Sequence, residues 1–213
     1  LVLDEADIML DMGFKQEVAY RQLDLSHAIL MQGRLVDAEI VCREAIDLTL
    51  KMFDRASVDV AMGLTRLASI IAEQGRSEEA VALAKEAIKT YQAGGATSES
   101  LVLVGGQRIL GSALVAARQY PQANEVFNTM KNGVDKRVQE GGRGIPVSDL
   151  DWVIAMLKIG KPQDALRMTD DMLEAALKQN GVSEERMNTL QAFKGISLHG
   201  EGKDEEARKV YAR

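Results

Sequence analysis

The sequence predicts an all-α fold, a right-handed α-solenoid of about five antiparallel helix pairs, and three observations carry that prediction. The first is a period. An alanine follows a polar turn at Ala38 in GRLVDA, Ala80 in GRSEEA, Ala123 in RQYPQA, Ala165 in GKPQDA and Ala207 in GKDEEA, at steps of 42, 43, 42 and 42 residues. Amphipathic hairpins repeating at such an interval bury their apolar faces only against their neighbours, so one stacked domain follows and not two globular lobes. The second is the placing of small residues where two helices must approach closely. Ser26, Ala68, Gly111, Val153 and Gly195 stand twelve residues before the five alanines, four of them small, and Ala45, Ala87, Met130 and Met172 stand seven after the first four. The third is composition: 46% hydrophobic but only 4% aromatic residues and three prolines weight the chain to helix formers and away from a β-rich fold.

In chain order, residues 1–17 form a leader ahead of the repeats. Ala6–Phe14, ADIMLDMGF, aligns with Ala45–Phe53, AIDLTLKMF, which makes the leader the last helix of a preceding, incomplete hairpin, helical or frayed. The repeats occupy 18–213, in units of about 18–54, 58–93, 98–139, 147–180 and 183–213. Unit one pairs a helix over Tyr20–Gln32 with one from Val36 to about Asp54. Cys42 holds the small interior position that Ala84 holds one unit later, so a buried, inert thiol is expected, and a single cysteine forms no internal disulfide. His27 has no Cys, Asp or second His at metal-ligand spacing and reads as a groove or surface residue. In unit two, Leu64, Leu67, Ile70 and Ile71 line one helix and Val81, Leu83, Ala84, Ala87 and Ile88 the next.

Gly94-Gly95 end unit two, and Ser98 with Glu99 offers a cap and first turn for unit three. Gly105-Gly106 then fall inside LVLVGGQRILGSALVAA. Each costs about 1 kcal/mol against alanine in a helix, so a kink, a late helix start or very close packing is expected. Pro121 and Pro162 open the second helices of units three and four, where proline forfeits no helical hydrogen bond. The connector Glu140–Pro146 is the longest and is expected to be the most mobile. Trp152 takes the position of Leu25, Leu67 and Leu110, which assigns it to the core, and Glu184-Glu185 open the last first-row helix. A chain that starts on Leu1 and stops at Arg213 inside a second-row helix reads as a piece of something longer.

This pattern resembles the tetratricopeptide repeat (TPR) family: leucine and a small residue in helix A, a glycine-led turn ending in alanine, and a small position in helix B. The resemblance covers about residues 18–213 and is best in GLTRLASIIAEQGRSEEAVALAKEAI, residues 63–88. The 42-residue spacing is similar to the longer-helix variant of kinesin light chains and of bacterial TPR proteins joined to effector domains such as CHAT-type proteases. Departures are Arg118 in place of the turn glycine, Lys194 in place of leucine, and the frequent absence of the aromatic. The resemblance implies a non-catalytic scaffold whose helix A residues line a concave groove. It carries the groove onto Tyr20, Leu23, His27 and Leu30, then Met62, Thr65, Ser69 and Glu73, then Arg108 and Ser112, then Leu150, Ile154 and Lys158. That set lacks the lysine and asparagine clamp for a C-terminal carboxylate, and it implies a protein or peptide partner with apolar anchors, or a domain of the same protein beyond Arg213. The alternative function is a sensor arm regulating a larger effector, for example a protease.

The leader, LVLDEADIMLDMGFKQEV, separately resembles motif II of the DEAD-box RNA helicases and the helix after it, closely over Leu1–Phe14. The resemblance implies a magnesium-nucleotide role for Asp4 and Glu5. No G-x-x-x-x-G-K-[S/T] phosphate loop accompanies them, since Gly195–Lys203 has the wrong spacing, and no serine-alanine-threonine motif or basic RNA path is present. The leader is therefore read without ATP chemistry, as chance resemblance, gene fusion or cloning scar, with a helicase remnant as the rival. A net charge of −6 and a pI near 5.1 argue against nucleic acid. No apolar run approaches the ~18 residues of a membrane span, and no secretory signal is evident. A cytoplasmic protein without catalytic residues, metal or cofactor is the expectation.

Overall fold

The computed structural model describes residues 5–179 and 181–211, with side chains from Gly13 onward. These residues form ten α-helices and no strand: α1 (Glu5–Met31), α2 (Leu35–Leu50), α3 (Val58–Glu73), α4 (Ser77–Ala93), α5 (Leu101–Ala116), α6 (Tyr120–Gln139), α7 (Leu150–Lys158), α8 (Pro162–Lys178), α9 (Glu184–Gly200) and α10 (Asp204–Tyr211). Each odd helix packs against the even helix after it, and each even helix against the next odd one. The architecture is an α-solenoid.

The hairpins follow from one backbone device. Gly33, Gly75, Gly160 and Gly202 take φ of 75, 78, 74 and 76°, and Arg118 takes 58° in the same register, five residues before each repeated alanine. The N–H after this residue donates to a carbonyl in the last turn: Arg34 to Ile29, Arg76 to Ile71, Gln119 to Leu114, Lys161 to Met156 and Lys203 to Leu198, at 2.8–3.3 Å. This is a Schellman C-cap, which satisfies the orphan carbonyls of the odd helix while reversing the chain into the even one. The helix starts differ between rows. Ser57, Asp149 and Ser183 cap α3, α7 and α9 by accepting from Val60, Asp151 and Arg186 N–H. Pro121 and Pro162 begin α6 and α8 instead.

The reversal brings the small residues into register. Ala38, Ala80, Ala123 and Ala165 are fully buried and Ala207 nearly so, and Ser26, Ala68, Gly111, Val153 and Gly195 are buried opposite them. A methyl on Gly111 would run into the Phe127 ring, so the glycine is what lets α5 and α6 close. Trp152 is core, stacked on Phe127 with ring centroids 5.6 Å apart and its indole N–H donating to Asn124 at 3.0 Å. The apolar seam runs without a break from Leu23 to Ala165.

Several expectations change. The leader is not a separate helix of an earlier hairpin: Glu5–Met31 is one continuous helix, so the stretch read as starting at Tyr20 begins much earlier. Ser100, not Ser98, stands at the start of α5, and Ser98 donates to Glu99 instead. Gly105-Gly106 neither interrupt nor delay α5, which runs unbroken over Leu101–Ala116. Close packing explains Gly106, which lies against Tyr91 and Ile88, while nothing packs over Gly105. Leu25 is 51% exposed although Leu67, Leu110 and Trp152 are buried at its register, because no even helix of the described residues precedes α1.

Arg118 gives a direct test of the turn. A non-glycine residue in the left-handed region costs roughly 1–2 kcal/mol, partly offset in glycine by its larger unfolded-state entropy. Arg118→Gly is expected to stabilise the chain by about 1 kcal/mol, a rise in melting temperature of ~3 °C. A melting temperature equal to or below that of the native sequence contradicts this account.

Candidate interaction groove

Among the described residues each odd helix also packs closely on the next odd helix, whereas successive even helices stand further apart, α2 and α4 being joined by the Arg43–Glu79 ion pair at 3.5 Å. The odd row is thus the tighter, inner side of the stack. The residues assigned to the groove lie on this row, but their environments diverge. Tyr20 is half-buried and donates its hydroxyl to Asp59 of α3, which ties α1 to α3 across the face and raises the phenol pKa. Leu23 is 7% exposed and belongs to the core, so it offers no open surface. Leu30 is half-buried against the same core, and His27 is exposed. Met62 packs against the small cluster of Ala61, Tyr91 and Leu103. Thr65 donates to the Ala61 carbonyl, Ser69 and Ser112 are half-buried, and Leu150 and Ile154 are half-buried apolar residues further along. Glu73 and Lys158 are exposed, and neither has an ion-pair partner among the described residues.

Arg108 is not a free groove cation. Its guanidinium bridges Asp149 at 3.2 Å and the Pro146 carbonyl at 2.7 Å. It thereby ties the end of the long connector to α5. Arg137 donates to the Arg143 carbonyl at 3.1 Å, and Ile145 and Val147 pack against the core. Asp149 both caps α7 and faces Arg108. Burial pushes its carboxyl above the usual range, against the pull of the Asp151 N–H and of Arg108. Pro146 and the extended run before Asp149 replace the first turns of a helix, so α7 has 9 residues where α3 and α5 have 16. Where the connector meets α8 and α9 a concavity of about 490 Å³ opens over Leu150, Met172 and Leu190, rimmed by Glu185, Arg186 and Thr189.

On the outer side, clefts between successive even helices measure about 300 Å³ over Trp152 and about 610 Å³ over Lys194. Lys194, at the usual leucine position, reaches Asp170 of α8 at 2.6 Å, an ion pair in place of an apolar contact. Cys42 is fully buried with its thiol against the Gly63 carbonyl, and burial pushes its pKa up to about 11. Of the leader's acidic pair, Asp4 lies outside the described residues and Glu5 is the first residue of α1. Among the described residues no group of three His, Cys, Asp or Glu is placed to hold a metal, and no helix is long and apolar enough to cross a membrane.

Solved structures with this arrangement decide the fold. A kinesin-light-chain-like protein of Podosopora anserina with nearly identical TPR-like repeats superposes with a TM-score of 0.71 at 17% identity, covering 92% of this chain and 93% of that one. The chain has a TPR-like repeat fold. A variant of the same Podosopora protein gives 0.72 at 17% identity, covering 92% of each chain. BtubC (BKLC) from P. vanneervenii gives 0.62 at 13%, covering 94% of this chain and 91% of that one. No protein-family model matches the sequence. No curated protein is significantly similar to it either. In TPR-like terms the odd helices are the A row and the even helices the B row.

The long-range pairing of Arg108 with the connector was beyond sequence reading, because the partners lie 41 residues apart and nothing local marks them. Arg108→Ala is expected to release the connector, raising the rate of trypsin cleavage after Arg143 severalfold with little change in helical circular dichroism; equal cleavage would show that Ile145 and Val147 hold it alone. Cys42 is expected to resist a thiol-specific chromogenic reagent at pH 7–8, where a thiol of pKa about 11 stays protonated and covered, and to react fully in denaturant. Rapid labelling of the folded chain would overturn the burial.

Proposed function

We propose that the chain is a non-catalytic protein-interaction scaffold that presents the inner face of its A row to a peptide, a helix or a neighbouring domain. The observation that supports this reading most is the strip itself. Half-buried Met62, Leu150 and Ile154 alternate with small polar Thr65, Ser69 and Ser112, and the exposed charges of Glu73 and Lys158 have no ion-pair partner among the described residues. Such a mixed surface suits a segment with a few apolar anchors and is too weakly basic for nucleic acid. We further assign the leader to 1–17 and the repeats to 18–213, give Asp4 and Glu5 no ATP chemistry, and place the protein in a reducing, cytoplasmic setting.

Leu150→Asp combined with Ile154→Asp puts two charges on the strip at positions that are already half solvated. Proteins retained from lysate by the native chain are expected to fall at least about tenfold with this variant, with melting and helical content nearly unchanged, and to persist with the B-row swap Lys85→Glu. Equal recovery with the paired variant removes the inner strip as the binding surface.

A further inference from the structure

We propose that unit five, α9 with α10, is hinged on unit four and swings to open and close the outer cleft between α8 and α10, with Lys194 setting the balance between the two positions. The inference stands apart from the inner-face reading above, because it concerns how two units join and needs no partner.

In a stack of repeats each junction is held by what two neighbours bury against each other, so a junction poor in apolar contact is where the stack bends. At the junction of units four and five that contact thins. The fully buried seam reaches α8 but stops at Ala165, and Leu190 and Leu198 of α9 are buried outside it. Beyond Ala165 the residues that pack against the seam, Met168, Met172 and Phe193, are half-buried. Two polar side chains account for the break. Thr169 stands where units one to three have Cys42, Ala84 and Phe127, and its hydroxyl donates back to the Ala165 carbonyl at 2.7 Å. Lys194 stands where units two to four have buried Leu67, Leu110 and Trp152, and its ammonium reaches Asp170 at 2.6 Å. On the inner side, α7 and α9 share less contact than α3 with α5 or α5 with α7.

The outer cleft shows what this does to the geometry. One unit earlier the same cleft is lined by Met156, Arg167 and Met168, at the registers of Leu198, Lys209 and Val210, and it measures about 300 Å³. There the floor is Trp152, stacked on Phe127. With Lys194 on the floor the cleft widens to about 610 Å³. Its walls carry Leu173, Leu177 and Val210, and Leu177 is 75% exposed. Moving α10 toward α8 covers these side chains, which the hydrophobic effect favours. The same movement takes water from Lys194 and Asp170, whose side chains are 32% and 46% exposed, and desolvating an ion pair costs about what its attraction returns, or more. Opposed effects of similar size give two populated positions instead of one. A swing of unit five also changes the angle at which α9 continues the A row, so the hinge adjusts the inner face from behind.

The test measures distances between nitroxide spin labels by pulsed electron resonance, in a Cys42→Ala background that leaves no native thiol. Glu125→Cys with Glu205→Cys spans two junctions including the hinge, and Glu44→Cys with Glu125→Cys spans two earlier junctions as the reference, all at exposed positions. The first pair is expected to give a distance distribution at least about twofold broader than the reference. Lys194→Leu is expected to narrow it at a shorter mean, with the cleft held shut. Leu177→Glu, at an exposed position, removes part of the closing surface and is expected to lengthen the mean with unchanged melting. Should Lys194→Leu not fold, Leu177→Glu decides alone. A native distribution as narrow as the reference, a mean that does not shorten in folded Lys194→Leu, or one that does not lengthen in Leu177→Glu overturns the hinge.

Discussion

The left-handed residue that ends each A helix is the constraint on which the rest of the molecule depends. It satisfies carbonyls that would otherwise be unpaired in the seam, turns the chain back on itself, and delivers the alanine five residues later to the small position of the same hairpin. Five such reversals in one register leave every A helix beside the next A helix. Where glycine is replaced by Arg118, both C-cap hydrogen bonds persist at 2.8 and 2.9 Å, so the surrounding packing imposes the conformation on a residue that disfavours it.

What joins the units is mostly apolar. At one edge Glu39 accepts from Arg43, Gln74 and Arg76, and Arg76 also meets Glu79, a network that crosses from unit one to unit two. Arg43, Arg76 and Glu79 are 42–47% exposed although Glu39 is mostly covered, and pairs at the solvent edge contribute about 0–1 kcal/mol each. The stack of Phe127 on Trp152, sealed by the Asn124 hydrogen bond, is of another order, since truncating a buried aromatic typically costs about 3–5 kcal/mol. Register is therefore held by side-chain volume, and the charged edges refine it.

The sequence made the repeat register legible because its determinants are local and recur. Each alanine, its turn and the small residue twelve before it are read within one unit, and the burial of Ala38, Ala80, Ala123 and Ala165 follows. Features that depend on other units were not legible. Leu23 looks like a groove residue by register but is covered, Leu25 looks like core but has no preceding even helix among the described residues, and Lys194 makes sense only beside Asp170. The connector's contacts were hidden for the same reason: its glycines are local, while the Arg108 bridge and the core contacts of Ile145 and Val147 come from distant elements. Of the candidate strip, the helices and the free charges at Glu73 and Lys158 could be read in advance, but the shortening of α7 and the concavity beneath it could not.

Close packing along the A row and wider spacing along the B row, where α2 and α4 are joined by an exposed ion pair, have a mechanical meaning. The stack is bound like a book, with a stiff spine on the inside and leaves that spread on the outside. Bending is easiest about the spine, so a small change of angle between units alters the outer clefts over Trp152 and Lys194 far more than any spacing along the inner face. Anything that wedges apart or draws together two A helices is thereby amplified into a change of curvature, and the B-row clefts register it at a distance from where it was applied.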